Sequence, residues 1–108
     1  PPILVFDEVD AGIGGDAAVS VGRALAALGH DHQVLVVTHL PQVAAFADHQ
    51  VSVRKDDAEG MSAMRATPLS PADRVHEVAR MLAGSHGSQP MREAARDLLD
   101  VSARTRGR

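Results

Sequence analysis

Ile3-Leu4-Val5-Phe6-Asp7-Glu8-Val9-Asp10, read together with Leu35-Val36-Val37-Thr38-His39, decides the fold class of this chain. Each segment is an apolar run that stops abruptly at a polar group capable of phosphate chemistry. Four consecutive apolar residues, Ile3 to Phe6, fit a strand buried on both faces of a parallel sheet. The acids then stand at the strand's carboxyl end, where open α/β sheets place their ligands. A strand ending in Asp-Glu, with a second ending in His, points to half of a nucleotide-hydrolysing site.

The rest of the composition narrows the options. The chain has 108 residues, 44% of them hydrophobic and 23% charged, which fits one small globular unit or part of one. With two Phe and no Tyr or Trp, it lacks the aromatic faces of a single-strand stacking platform. A net charge of -3 gives no broad cationic field for duplex backbone, so most of any DNA-contact surface lies elsewhere. No cysteine is present, which excludes disulfides and thiolate metal sites and fits a reducing cytoplasm. No apolar run approaches the roughly 20 residues of a membrane span, and no signal peptide is visible. The opening on Pro1-Pro2, one step before a core strand, reads as a piece of a longer chain.

Outward from the two runs, the pattern alternates strand and helix. Ala11-Gly12-Ile13-Gly14-Gly15 is a glycine turn, and a helix from about Asp16 carries Ala18, Val21, Leu25 and Leu28 before Gly29 ends it. The second strand, Val34 to Val37, then completes a strand–helix–strand crossover with parallel strands. Pro41 suits the first turn of a short helix through about Ala47. Val51 and Val53 alternate with Ser52 and Arg54 as a half-exposed strand, and Met61 to Thr67 returns antiparallel after an acidic turn. Ser70-Pro71-Ala72-Asp73 is a helix start. Val75, Val78, Ala79 and Leu82 form that helix's buried stripe, and Gly84 its end. A last helix over Ser88 to Ala103 buries Met91, Ala95, Leu98 and Leu99, and Arg104, Arg106 and Arg108 read as a frayed tail.

Asp7 and Glu8 are the first candidates for chemistry. Adjacent on an extended segment, they point in different directions. One carboxylate can hold the water shell of Mg²⁺ while the other orients or deprotonates an attacking water. An acid pair at a strand end is also a common surface feature; position after a buried run and before a glycine turn favours the catalytic reading. His39 follows a strand parallel to the one carrying Glu8, so the two strand ends can converge on one phosphate if the strands are neighbours about 4.8 Å apart. His30, His32, His49, His76 and His86 read as solvated or backbone-satisfied. A metal-only site of nuclease or toprim type, using Asp7, Asp10 and His39 or His49, is a rival. The chain contains no Gly-x-x-x-x-Gly-Lys-Ser/Thr loop, and its only lysine is Lys55. This piece alone is therefore not expected to hold ATP.

These residues resemble the C-terminal nucleotide-binding lobe of the ABC/SMC-like ATPases. Ile3 to Glu8 looks like the Walker B strand and Val36-Val37-Thr38-His39 like the switch-histidine segment. Both are shared across that superfamily. The run Asp7 to Gly15, joined to Thr38-His39-Leu40-Pro41-Gln42-Val43-Ala44, is similar to one branch, the SMC-like proteins of bacterial DNA repair. Ser70 to Gly84 resembles that branch's closing helices, and the likeness runs from Ile3 to about Leu99.

The resemblance implies the following expectations. The fold would be α/β, the C-terminal lobe of a P-loop NTPase-like head: parallel core strands with flanking helices, a small hairpin and two C-terminal helices. Asp7 would help hold Mg²⁺ through water, Glu8 would polarise the hydrolytic water, and His39 would contact the γ-phosphate of ATP. Ala11, Gly12, Ile13 and Gly14 would form the D-loop facing a second protomer across the nucleotide; Gly14 stands where many members carry Asp. The Walker A loop, signature motif and coiled coil would lie upstream in a missing N-terminal lobe. The intact protein would be a cytoplasmic, nucleoid-associated homodimer of heads that acts on double-stranded DNA ends with recombinase machinery, away from membranes. The alternatives are a non-catalytic assembly and dimerisation module, or a metal-dependent nuclease-type domain.

Overall fold

The computed structural model describes residues 2–7, 15–56, 63–84 and 87–107. Strands β1 (Ile3–Asp7) and β2 (Gln33–Val37) pair in parallel, with Ile3 opposite Gln33 and Asp7 opposite Val37. Helix α1 (Gly15–Leu28) joins them and packs on β2. It ends where the Gly29 amide donates to the carbonyls of Leu25 and Ala26. Helix α2 (Pro41–Ala44) follows β2 after three residues, with Pro41 at a position where a missing N–H costs nothing.

Strands β3 (Val51–Asp56) and β4 (Ala63–Pro68) form an antiparallel pair with Val51 opposite Pro68. Helix α3 (Pro71–Ala83) starts on Ser70, whose hydroxyl accepts from the Asp73 amide at 3.2 Å, and ends on Gly84 at φ 74°. Only a residue without a Cβ adopts that left-handed cap readily. Helix α4 (Gln89–Arg106) starts on Ser88, whose hydroxyl accepts from the Met91 amide. The result is a small α/β unit with two two-stranded sheets.

Two patches of packing hold it. Between α3 and α4, Val78, Ala79 and Ala95 are fully buried, with Val75, Leu82, Met91, Leu98 and Leu99 around them. Those are the stripes that the helical spacing singles out. Between α1 and α2, the buried residues are Ala18, Ala26, Val43, Ala44, Ala45 and Phe46. Gly22 lets α2 approach: a Cβ there would meet Phe46 Cδ2 at 2.4 Å and the Gln42 carbonyl oxygen at 3.1 Å.

Two expectations need correction, and the half-exposed strand β3 turns its polar side inward. β1 and β2 are not buried on both faces: Ile3, Val5, Leu35 and Val37 are each more than half exposed. Leu4, Phe6, Val34 and Val36 on the other face are half-buried. A two-stranded sheet covered by a helix on one side leaves its second face open. In β3 it is Ser52 that is buried, whereas Val51 and Val53 are exposed. The reason is a carboxylate on α3: Ser52 Oγ donates to Glu77 at 2.7 Å. Lastly, Arg104 and Arg106 are no frayed tail but the last turn of α4.

Gly22→Ala tests the close approach of α1 and α2. A helix interior gains up to about 1 kcal/mol from Gly to Ala, but overpacking a filled site costs about 1–3 kcal/mol. Phe46 is only 5% exposed, so its ring has little room to retreat. The expected outcome is net destabilisation, read as a lower urea midpoint with unchanged m-value.

Candidate functional site

The pairing of β1 with β2 sets the geometry of the rim. Side chains alternate along a strand, so Ile3, Val5 and Asp7 share a face. Their register partners put Leu35 and Val37 on that same face. Asp7 is exposed at the carboxyl end of β1, and the backbone of Val37 runs beside it, about one strand spacing away. His39, also exposed, lies two residues past Val37 at the same carboxyl rim. The two strands carrying the sequence candidates are therefore immediate neighbours. Glu8, Asp10, Ala11, Gly12, Ile13 and Gly14 lie outside the described residues.

The backbone after β2 is held by a ladder of short-range bonds. The Thr38 hydroxyl accepts from the Leu40 amide at 3.0 Å. The Leu40 carbonyl accepts from the amides of Val43 and Ala44, and the Pro41 carbonyl from that of Ala45. Phe46 and Ala47 donate in turn to Val43 and Ala44, so the turn continues past α2. Leu40 itself is extended at φ -96° and ψ 123°, and its side chain supplies no cap.

At the far end of α2, two guanidinia close on four successive carbonyls. Arg74, in the first turn of α3, donates through Nη2 to Ala44, Ala45 and Ala47 at 3.0, 3.4 and 2.7 Å. Its Nε donates to Gln50 Oε1 at 3.1 Å. Arg106, at the end of α4, donates through Nη1 to Phe46 and Ala47 at 3.3 and 2.8 Å. Its Nε lies 3.2 Å from Asp48 Oδ1. Burial, and then the neighbouring Arg106, hold the Arg74 guanidinium below its ordinary pKa, while Asp48 opposes them. An arginine nevertheless stays charged at any accessible pH.

A second polar cluster ties the hairpin to α3. Glu77, only 8% exposed, accepts from Ser52 and from Arg80 Nε, and Arg54 Nη2 lies 3.8 Å away. Burial pushes its carboxyl pKa up. The bonds from Ser52 and Arg80, with the charges of Arg80 and Arg54, outweigh that and hold it below the ordinary value.

Among the described residues, no three carboxylate, imidazole or thiol groups gather to hold a metal ion. His49, one ligand of the metal-only alternative, lines a cleft in which three arginines, Arg74, Arg96 and Arg106, stand with two carboxylates, Asp48 and Asp100. No helix among the described residues is long and apolar enough to cross a membrane. Arg74, Arg106 and the Ser52–Glu77 pair were not marked by any sequence motif, because each contact joins residues 24 or more positions apart.

A small α/β unit with a carboxylate and an imidazole segment at one sheet rim is thus the class of structure in hand. Over nearly its whole length it matches one kind of protein, DNA repair protein RecN, and the chain is a homologue of part of it. It is 54% identical over 99 residues to that of Mycobacterium tuberculosis, covering 92% of this chain and 16% of the relative. For Streptomyces coelicolor the figure is 50% over 101 residues, with 94% and 18% covered. For Deinococcus radiodurans it is 48% over 98 residues, with 91% and 17% covered. The chain therefore spans about one sixth of the length of the curated relatives it matches. No protein-family model matches it.

Glu77 gives a pH-dependent prediction. Its folded pKa lies below the unfolded value of about 4.3, so its stabilisation is present above that value and is lost as pH falls through the folded pKa. Glu77→Gln is expected to cost about 1.5–3 kcal/mol at pH 7, with the gap to the parent chain closing below about pH 4. Urea unfolding across pH 3–7 reads it; a gap that stays constant would remove the charge from the explanation.

Proposed function

We propose that this chain is the C-terminal lobe of an ATP-hydrolysing SMC-like head, acting within a longer protein of DNA double-strand break repair and recombination. The observation that carries the reading is the parallel, in-register pairing of β1 and β2. It brings Asp7 and the His39 segment to one carboxyl rim, where α/β sheets bind ligands. The kinship to DNA repair protein RecN supports the repair role and, through it, a cytoplasmic setting.

Asp7 fits a hard divalent cation: it is an exposed carboxylate at the strand end. Bound Mg²⁺ would supply charge neutralisation at the phosphate oxygens. In this reading Glu8, the next residue, orients the water and takes its proton as the water oxygen bonds to the γ-phosphorus. The bond from phosphorus to the bridging oxygen breaks in line, releasing ADP and phosphate. His39 donates to a γ-phosphate oxygen, and Ala11, Gly12, Ile13 and Gly14 face a second head across the nucleotide. The phosphate cradle comes from the upstream lobe of the same protein. The exposed apolar face of Ile3, Val5, Leu35 and Val37 is where that lobe packs. DNA ends and recombinase machinery are engaged by the whole protein.

The test uses the full-length protein that contains this chain. Glu8→Gln is expected to keep ATP binding and lower turnover by about 10²–10⁴-fold, as for loss of a general base. Filter binding of labelled ATP and phosphate release read the two separately. Undiminished turnover would remove Glu8 from the mechanism and favour a module that only assembles.

A further inference from the structure

We infer that Arg74 and Arg106 are positioning residues for the His39 segment, acting through α2; this rests on the ATPase reading above. The segment leaves β2 at Val37 and enters a helix of only four residues. So short a helix has no stability of its own. The Ala44 carbonyl accepts from the Ala47 amide, but the carbonyls just past the helix end need donors from elsewhere. Here the carbonyls of Ala44, Ala45, Phe46 and Ala47 receive guanidinium bonds, and Ala47 receives one from each arginine. A cation at a helix C-terminus is also favoured by the peptide dipoles.

The bonds run without a break from this clamp to the rim. Arg74 holds the Ala44 carbonyl, and the Ala44 amide donates to the Leu40 carbonyl. The Leu40 amide donates to the Thr38 hydroxyl, and His39 lies between those two residues. Packing closes the other side, since Val43, Ala44, Ala45 and Phe46 are buried. A displacement of the α2 carboxyl end therefore moves the backbone on which the imidazole is mounted. The clamp comes from α3 and α4, elements that carry none of the residues assigned to the chemistry. It makes the C-terminal helices part of the machinery rather than a separate appendage.

A double-mutant cycle in the full-length protein tests this, at a temperature where every variant is folded by circular dichroism. Arg74→Gln is expected to lower kcat for ATP by about tenfold, a typical result of a small misplacement. Its KM and ATP affinity stay within about twofold of the parent, because the phosphate cradle of the upstream lobe carries most of the ground-state binding. His39→Ala lowers kcat on its own. The combined Arg74→Gln, His39→Ala variant is then no slower than His39→Ala alone, since the clamp has nothing left to position. A merely structural arginine would instead add its own loss in both backgrounds.

Unchanged kcat in Arg74→Gln, or a further drop in the double variant, overturns the clamp while leaving the ATPase reading intact. An undiminished rate in His39→Ala alone removes His39 from the mechanism and overturns the clamp with it, while the ATPase reading is decided separately by Glu8→Gln. Arg106→Gln, near the end of α4, carries the same cycle where Arg74→Gln does not give folded protein.

Discussion

Four successive carbonyls at the end of a one-turn helix are the constraint around which this chain is organised. An exposed helix end can be left to water, but Ala44, Ala45 and Phe46 are buried, so their carbonyls must find donors within the protein. Arg74 and Arg106 meet that need from two different helices. In doing so they fix α3 and α4 against the segment that follows β2. Gln50 extends the junction: its side-chain oxygen accepts from Arg74, and its backbone carbonyl accepts from the Leu69 amide. The start of the hairpin, its return and the first turn of α3 are thereby joined within a few residues. Without the clamp, α1–α2 and α3–α4 would be two small cores meeting through few contacts.

The parallel pair is held differently. Isolated two-stranded sheets are marginal in water, and this one has a helix on a single face. Its open face is a row of aliphatic side chains at alternate positions, with Asp7 at the end. The hairpin repeats the theme with the faces exchanged. Its polar side meets α3 through Ser52 and Arg54, and its apolar side, with Val51, Val53 and Met64, is exposed. Both sheets thus present hydrocarbon outward. In a protein about six times longer, as the relatives are, such faces are natural places for further chain to pack.

What was legible in the sequence is what short-range physics decides. Ser70 before Pro71, Ser88 three residues before Met91, and Gly84 after α3 act through bonds to neighbouring residues, and all three mark their helix ends in the structure. The parallel pairing followed from a strand, a helix and a strand in succession. The orientation of β3 did not follow, because two valines alternating with Ser and Arg ordinarily turn the valines inward. Here the buried carboxylate of Glu77, 25 residues from Ser52, reverses that preference. The C-terminal arginines read as a tail for the same reason. Arg106 looks like solvated tail until its partners, 59 and 60 residues away, are known. The candidate site is legible to the same degree: Asp7 and His39 share a rim, whereas Glu8 and the glycine turn lie outside the described residues.

The choice of arginine at the clamp has a geometric basis. Arg74 must reach Gln50 Oε1 with one nitrogen and the carbonyls of Ala44, Ala45 and Ala47 with another. A planar guanidinium presents such donors in a fixed fork, while an ammonium is a single point that cannot span them. Its charge also stays on, so the helix end is neutralised across the whole range of working pH. The two clamp arginines repel each other, and Asp48, in contact with Arg106, offsets part of that repulsion. Like charges are tolerated here because the carbonyls between them accept from both, that of Ala47 from each arginine. Backbone satisfaction outweighs charge repulsion at this junction, and the histidine-bearing segment is held in place as a consequence.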